Sequence, residues 1–168
     1  MILRFKKGSE AENTVKELIV NREKTLEYAI SIIEEITGVK PLGFGYNWFF
    51  GISYSWNCNS TGFDKTAPEI IDGMKFVREN NGIRYYKPNK INKKGKQITK
   101  KFEDEQNKLR TDSKPLNKFG IYAEKDMRYT NFYFGEDEYG VWMEISNSTL
   151  EWLEPHPDVF IETKIKTV

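Results

Sequence analysis

The chain has 168 residues, 14% of them aromatic and 30% charged. Its length can bury a core without disulfides or a metal, and its formal net charge of +1 at pH 7 excludes a general attraction to nucleic acid or membranes. Cys58 is the only cysteine, so we predict no intrachain disulfide. Residues 1–7 are too short and too charged for a signal peptide, and no apolar run approaches a membrane span. We therefore predict a soluble cytoplasmic protein.

The first predicted elements are a short strand at residues 2–6 and a long N-terminal helical segment. Ser9-Glu10-Ala11-Glu12 has the form of a capping box, with a hydroxyl at the N-cap and a carboxylate three residues later. Apolar residues then recur at helical spacing for about seven turns; they are Ala11, Val15, Leu18, Ile19, Leu26, Ala29, Ile30, Ile33 and Ile36. Gly38 ends the segment, which is one helix or two helices that meet near Asn21. Its apolar stripe predicts packing on a sheet, with a partner-binding surface as the alternative.

The stretch Phe44–Cys58 predicts the central strand. Its even positions are apolar or aromatic, and its odd positions are small or polar except for Phe49. Because side chains of a strand alternate between faces, one face is aromatic and the other nearly bare. The bare face is a packing surface for a helix or a surface that a flat ligand can approach, with Phe49 as a candidate contact residue. Gly51 marks a bend or bulge.

The rest of the chain predicts two hairpins with helices and loops around them. In order, the predicted parts are a loop at 57–68, a hairpin at 74–87, a polar connector at 88–97, a helix from about 97 to 110, a loop at 111–118, a hairpin at 127–145, a helical turn at 149–153 and a strand at 159–166. Asn80-Asn81-Gly82 supplies the first turn, since Asn-Gly is the strongest short hairpin signal. Residues 135–139 supply the second turn.

The order of these elements predicts the fold class. Helices occur in blocks and do not alternate with strands, and hairpins pair their strands antiparallel. We therefore predict a single α+β domain spanning residues 1–168. It contains an antiparallel sheet of about five or six strands, with the N-terminal helical segment packed on one face.

The run Lys87–Lys101 contains seven lysines and no acidic residue. It is a candidate patch for nucleic-acid phosphates, with Tyr85 and Tyr86 stacking on bases. The run has no arginine, the residue that most often binds phosphate through two hydrogen bonds. Glu103-Asp104-Glu105 follow the run directly. The alternative is therefore a solvated segment whose charge is neutralised by local ion pairs such as Asp104–Lys108. The candidate binding lysines are Lys90, Lys93, Lys94 and Lys96.

His156 is the only histidine, and it lies between Pro155 and Pro157. The restricted backbone could hold it as a general base with Glu154 or Asp158 nearby. A zinc site would need further ligands from scattered places. The sequence therefore gives these three residues as catalytic candidates and predicts no metal and no cofactor.

The leading functional prediction is a small non-enzymatic binding or inhibitor protein that acts through a protein–protein surface. The lysine run and the acidic block Glu136–Glu138 form local patches of opposite charge, and the exposed aromatic candidates are Phe49, Tyr85, Tyr86 and Trp142. The abundance of Lys, Asn, Ile and Tyr is typical of an AT-rich bacterial or phage genome, so a bacterial accessory or phage-encoded factor fits. The alternatives are a nucleic-acid-binding module that uses Lys87–Lys101 and an enzyme centred on His156.

Overall fold

The computed structural model describes residues 1–45, 58–109, 112–122 and 133–162. The helices are α1 (Glu10–Thr37), α2 (Lys93–Asp104) and α3 (Asn147–Glu151). The strands are β1 (Ile2–Phe5), β2 (Gly43–Phe44), β3 (Thr61–Asp64), β4 (Met74–Asn80), β5 (Ile83–Pro88), β6 (Tyr133–Asp137), β7 (Gly140–Glu144) and β8 (Val159–Ile161). Short 3₁₀ segments cover Cys58–Ser60 and Lys114–Phe119. The predicted α+β class is confirmed, with antiparallel strands divided between two four-stranded sheets.

The strands and helices belong to two compact units. Unit 1 holds the described parts of Met1–Arg22 and Thr111–Val168, and unit 2 those of Glu23–Phe49 and Tyr54–Arg110. The first half of α1 belongs to unit 1 and the second half to unit 2, so each unit has one part of this helix beside its own sheet. The single domain over residues 1–168 stays a prediction.

The N-terminal helical segment forms the single helix α1. The hydroxyl half of the predicted capping box is confirmed, because the Ser9 hydroxyl accepts a hydrogen bond from the Glu12 N–H over 3.1 Å. The Glu12 carboxylate accepts the N–H of Gly8, one residue before the N-cap, over 3.2 Å. Gly38 follows the last turn with φ of 78°, a left-handed conformation that glycine adopts without strain. No break occurs at Asn21.

Unit 1 contains the sheet β6-β7-β1-β8, in which the predicted N-terminal strand β1 pairs with both β7 and β8. Its buried cluster joins this sheet to the first half of α1; the buried members are Leu3, Phe5, Ala11, Val15, Leu18, Leu116, Phe119, Ile121, Phe134, Val141, Met143 and Ile145. The predicted turn at 135–139 is too long, because β6 extends to Asp137 and β7 begins at Gly140, which leaves a two-residue turn. The Asp137 carboxylate accepts the Tyr139 N–H within this turn. Residues 127–132 and 163–168 lie outside the described part.

Unit 2 contains the sheet β2-β3-β5-β4. Its buried cluster comprises Ala29, Ile32, Ile33, Phe44, Cys58, Phe63, Ile71, Met74, Tyr86, Ile98, Phe102 and Leu109. The predicted hairpin is confirmed as β4 and β5, joined by Asn81 and Gly82, whose φ angles of 52° and 79° are those of a tight hairpin turn. Most of the predicted aromatic strand, residues 46–57 with Phe49, lies outside the described ranges.

Two predicted boundaries in unit 2 are wrong. The predicted loop at 57–68 contains β3, which pairs with β2 and β5 and buries Phe63 completely. The predicted polar connector at 88–97 is shortened, because Asn92 caps α2 and the helix begins at Lys93. Both segments are rich in polar residues, so composition alone assigns them to loops although part of each forms regular secondary structure.

Candidate functional site

Tyr85 and Tyr86, predicted as exposed aromatic contacts, are both buried. Tyr86 is 1% exposed, and its ring meets Phe63 and Phe76 edge-on with ring centroids 5.3 and 5.6 Å apart. Tyr85 is 8% exposed, and the Arg78 guanidinium lies over its ring at 4.6 Å. The predicted exposure of these rings is therefore wrong, because β5 directs one into the core and the other beneath an arginine.

The fold divides the basic run Lys87–Lys101 between β5, a turn and α2. Three of its lysines form ion pairs, which are Lys94 with Asp72 at 3.2 Å, Lys100 with Asp104 at 3.2 Å and Lys101 with Glu105 at 3.3 Å. Local pairing along α2 therefore occurs, although Asp104 pairs with Lys100 and not with Lys108. Residues in the described ranges form no ion pair with Lys87, Lys90, Lys93 or Lys96.

A groove of about 420 Å³ lies on unit 2 beside the β4–β5 hairpin. Lys75 and Lys87, both exposed, are directly opposite each other on these strands and line the groove together with Lys90. The other described lining residues are Asn59, Pro88, Asn89 and Ile91. Of the four predicted binding lysines, the groove includes only Lys90; Lys93 and Lys96 are exposed on α2. The sequence prediction missed Lys75.

The first turn of α2 holds the turn between β5 and α2, which forms one wall of the groove. The Asn92 side-chain oxygen accepts the N–H groups of Lys94 and Gly95 over 2.8 and 3.4 Å. Its amide nitrogen donates to Asp72 over 3.0 Å, and this bond together with Lys94 holds the pKa of Asp72 below its usual range. A Cβ on Gly95 would overlap the Asn89 backbone. The turn between β5 and α2 is therefore packed directly on the helix.

Strand β4 is exposed on both faces after its first residue. It is the last strand in the described sheet order, and every residue from Lys75 to Asn80 is exposed. Phe76 is 52% and Val77 43% exposed, and the register shifts between Phe76 and Arg78, so Val77 is the bulged residue. An exposed edge strand with apolar side chains is a surface on which another chain can pack.

His156 is half-buried in unit 1, where its ring meets Phe119 edge-on at 5.3 Å. Its Nδ1 accepts the Asp158 backbone N–H over 3.1 Å, which places the proton of a neutral imidazole on Nε2. The Glu154 carboxylate accepts the Tyr122 hydroxyl over 3.1 Å, and this bond raises the pKa of Tyr122. In the described part of the chain, His156 therefore bonds to the backbone of Asp158 and Glu154 to a tyrosine, and no hydrogen bond joins the side chains of the three catalytic candidates.

The acidic block Glu136–Glu138 is partly neutralised within unit 1. Both terminal nitrogens of Arg4 donate to the Asp137 carboxylate, over 2.8 and 2.9 Å, and one also donates to Glu162 over 3.3 Å. The hydrogen bonds from Arg4 hold the pKa of Asp137 below its usual range. Trp142, the aromatic candidate of this unit, is half-buried in β7. The block therefore presents less net charge than its sequence indicates.

Cys58 provides a test of the unit 2 core. Its side chain is 7% exposed, and burial raises the pKa of its thiol from 9.0 to about 11. Because the thiolate is the reactive form, we expect the native thiol to react with a chromogenic aromatic disulfide at mildly alkaline pH about a hundredfold more slowly than the chain unfolded in urea. Absorbance of the released thiolate measures both rates. Similar rates in the two states would contradict the buried position.

Within the described ranges, no group of three or more His, Cys, Asp or Glu residues is arranged to hold a metal ion. No helix in that part of the chain is long and apolar enough to cross a membrane. Comparisons of the chain with protein-family models, with curated proteins and with solved structures find no match. The candidate site is thus defined by geometry, as strand β4 and the lysine groove beside it.

Proposed function

We propose that the protein is a non-enzymatic binding protein, an inhibitor or adaptor, that recognises another protein through strand β4 of unit 2. The observation that supports this most is the exposure of Phe76 and Val77 on a strand that is open on both faces. Ile70, at 89% exposed, is a further exposed apolar side chain of unit 2. Exposed apolar side chains that cluster on a soluble protein mark interaction sites.

Tyr86 is a buried support for Phe76. Its ring packs edge-on against Phe76 at 5.6 Å, and its hydroxyl donates to the Glu69 carbonyl oxygen over 2.7 Å. Ile70 follows Glu69 directly in the chain, so the same buried residue also anchors the backbone next to Ile70. A surface that is ordered before binding loses less conformational entropy when a partner docks.

The second face of β4 adds positive charge to the same edge. Lys75 lies opposite Lys87, and Arg78 lies opposite Tyr85, whereas Phe76 lies opposite Tyr86 on the other face. A partner that packs along the strand edge would therefore meet apolar groups on one side and cations on the other. An apolar centre with a polar rim is the usual composition of protein–protein interfaces.

The two other functions that the sequence indicates have less structural support. Three lysines of the run Lys87–Lys101 that would contact nucleic acid form ion pairs instead, and the two tyrosines that would stack on bases are buried. Catalysis at His156 would use an imidazole whose Nδ1 already accepts a backbone hydrogen bond. Surface recognition of a protein is the function that most of the geometry favours.

A single substitution at the bulge tests this function. Val77→Asp places a charge in the apolar patch at an exposed position, so we expect it to abolish partner capture while changing the free energy of unfolding by less than about 0.5 kcal/mol. The tagged protein is incubated with nuclease-treated lysate of its source cells, and the bound proteins are identified by mass spectrometry. Val20→Asp is the matched control, because Val20 is 51% exposed on α1 in unit 1.

The proposal predicts one protein partner that survives nuclease, binds the wild type and Val20→Asp, and is lost with Val77→Asp. Equal capture by both variants would place the interface elsewhere than β4. Capture that disappears on nuclease treatment would support nucleic acid as the ligand and contradict the proposal.

A further inference from the structure

The lysine groove of unit 2 holds a pair of like charges on neighbouring strands. Lys75 and Lys87 are directly opposite each other on β4 and β5, where facing Cβ atoms lie about 5 Å apart and equal charges repel. Lys90 lines the same groove. No carboxylate in the described ranges forms an ion pair with any of the three. A bound anionic group would relieve this repulsion.

The bulge in β4 creates this pairing. From Arg78 to Asn80 the strand follows the register set by the hairpin turn, and that register would place Phe76 opposite Lys87. The extra residue, Val77, shifts the register by one and moves Lys75 to that position. Bulges re-aim side chains at functional sites and interrupt regular pairing at a cost to the ladder. The like-charge pair is thus a consequence of a specific backbone feature.

The remaining wall of the groove indicates which anion fits. Ile91 is 89% exposed and lines the groove together with the lysines. An aliphatic side chain offers nothing to a phosphate backbone, and the described lining contains neither the arginine nor the exposed aromatic ring that nucleic-acid sites use. Carboxylates interspersed with apolar side chains match both features. Charge complementarity therefore favours an acidic protein segment over a polynucleotide.

We propose that the groove bounded by Lys75, Lys87, Lys90 and Ile91 binds an acidic segment of the partner protein. Glutamate or aspartate side chains of that segment pair with the three lysines, and an apolar side chain beside them contacts Ile91. This inference rests on the proposed recognition of a protein through the adjacent strand β4, and it specifies the chemistry of the partner at that site.

The test is a binding titration with a short fluorescein-labelled peptide of alternating glutamate and leucine, followed by fluorescence anisotropy. We expect Lys87→Glu and Lys90→Glu each to weaken binding about tenfold. Lys40→Glu is the matched control, because it makes the same charge change at an exposed position of unit 2 outside the groove, and it should bind like the wild type. A peptide with glutamine in place of glutamate should bind at least about tenfold more weakly to the wild type.

A thermal melt separates loss of binding from loss of structure. Lys87→Glu puts a carboxylate opposite Lys75, which replaces repulsion by attraction, so its unfolding midpoint should equal or exceed that of the wild type. A variant that gains stability while it loses the peptide cannot owe the loss to misfolding. A lowered midpoint would contradict the facing arrangement of the two lysines.

Three results would overturn the inference. They are peptide binding that Lys87→Glu and Lys90→Glu leave unchanged, equal binding of the glutamine peptide, and tighter binding of a labelled oligothymidine than of the acidic peptide. Running the same variants in the capture experiment keeps the two proposals apart. Partner capture that depends on Val77 but not on Lys87 would support recognition of a protein through β4 and contradict the binding of an acidic segment in the groove.

Discussion

The Gly95→Ala variant is expected to be less stable than the wild type by about 3 kcal/mol. Gly95 lies in the first turn of α2, and an added Cβ would overlap the carbonyl oxygen and carbon of Asn89. These are backbone atoms, so no side-chain rotation can relieve the overlap. Either α2 or the turn that forms the groove wall must move. Chemical denaturation in urea, followed by circular dichroism, measures the change.

The sign of this effect is informative because helix propensity acts in the opposite direction. In an exposed helix interior, alanine is more favourable than glycine by about 1 kcal/mol. Lys96→Ala, one residue further along α2 at an exposed position, is the control and should change the free energy of unfolding by less than about 0.5 kcal/mol. A Gly95→Ala variant more stable than the wild type would show that the turn does not pack on the helix.

The sequence predicts the parts of this fold that depend on local chemistry. Ser9 and Glu12 cap α1, Gly38 ends it, and Asn81-Gly82 forms the first hairpin turn, as their positions indicate. In each case the stabilising contact or the special φ angle involves residues within a few positions of one another. Such features need no knowledge of the rest of the chain.

Strand pairing over long distances could not be predicted in the same way. β1 pairs with β7, which follows more than a hundred residues later, and alternation alone does not identify that partner. The sequence does not predict β3, because Thr61-Gly62-Phe63-Asp64 follows polar residues and contains a glycine. It becomes a strand through its pairing with β2 and β5, and strand preference depends strongly on such context. Two sheets therefore replace the one that the sequence predicts.

The candidate site was only partly predictable for a related reason. Lys90 lies in the groove as a member of the lysine run, whereas Lys75 reaches it through the bulge at Val77. No glycine marks that bulge, and an unbroken hairpin would pair Lys87 with Phe76. A shift of one residue exchanges the faces of a strand, so the identity of the groove residues depends on a feature that the sequence does not display.

Tyr86 connects the core of unit 2 to the proposed interface, and its substitution by alanine should strongly reduce the free energy of unfolding. Tyr86→Ala removes a ring that is 1% exposed and packs against Phe63 and Phe76, so we expect a loss of about 4 kcal/mol. Tyr86→Phe keeps the ring and removes only the hydrogen bond to the Glu69 carbonyl oxygen, at a cost of about 1 kcal/mol. Urea denaturation of both variants measures the difference.

Comparison with Phe76→Ala separates a core residue from a contact residue. Phe76 is 52% exposed, so its truncation should reduce stability by only about 1 kcal/mol while it weakens partner capture. Tyr86→Phe should retain capture, because the patch keeps its support. If Tyr86→Ala instead had wild-type stability and lost the partner, Tyr86 would be a contact residue, as the sequence alone predicts. The buried position predicts the reverse: Tyr86 acts on binding only by holding Phe76 in place.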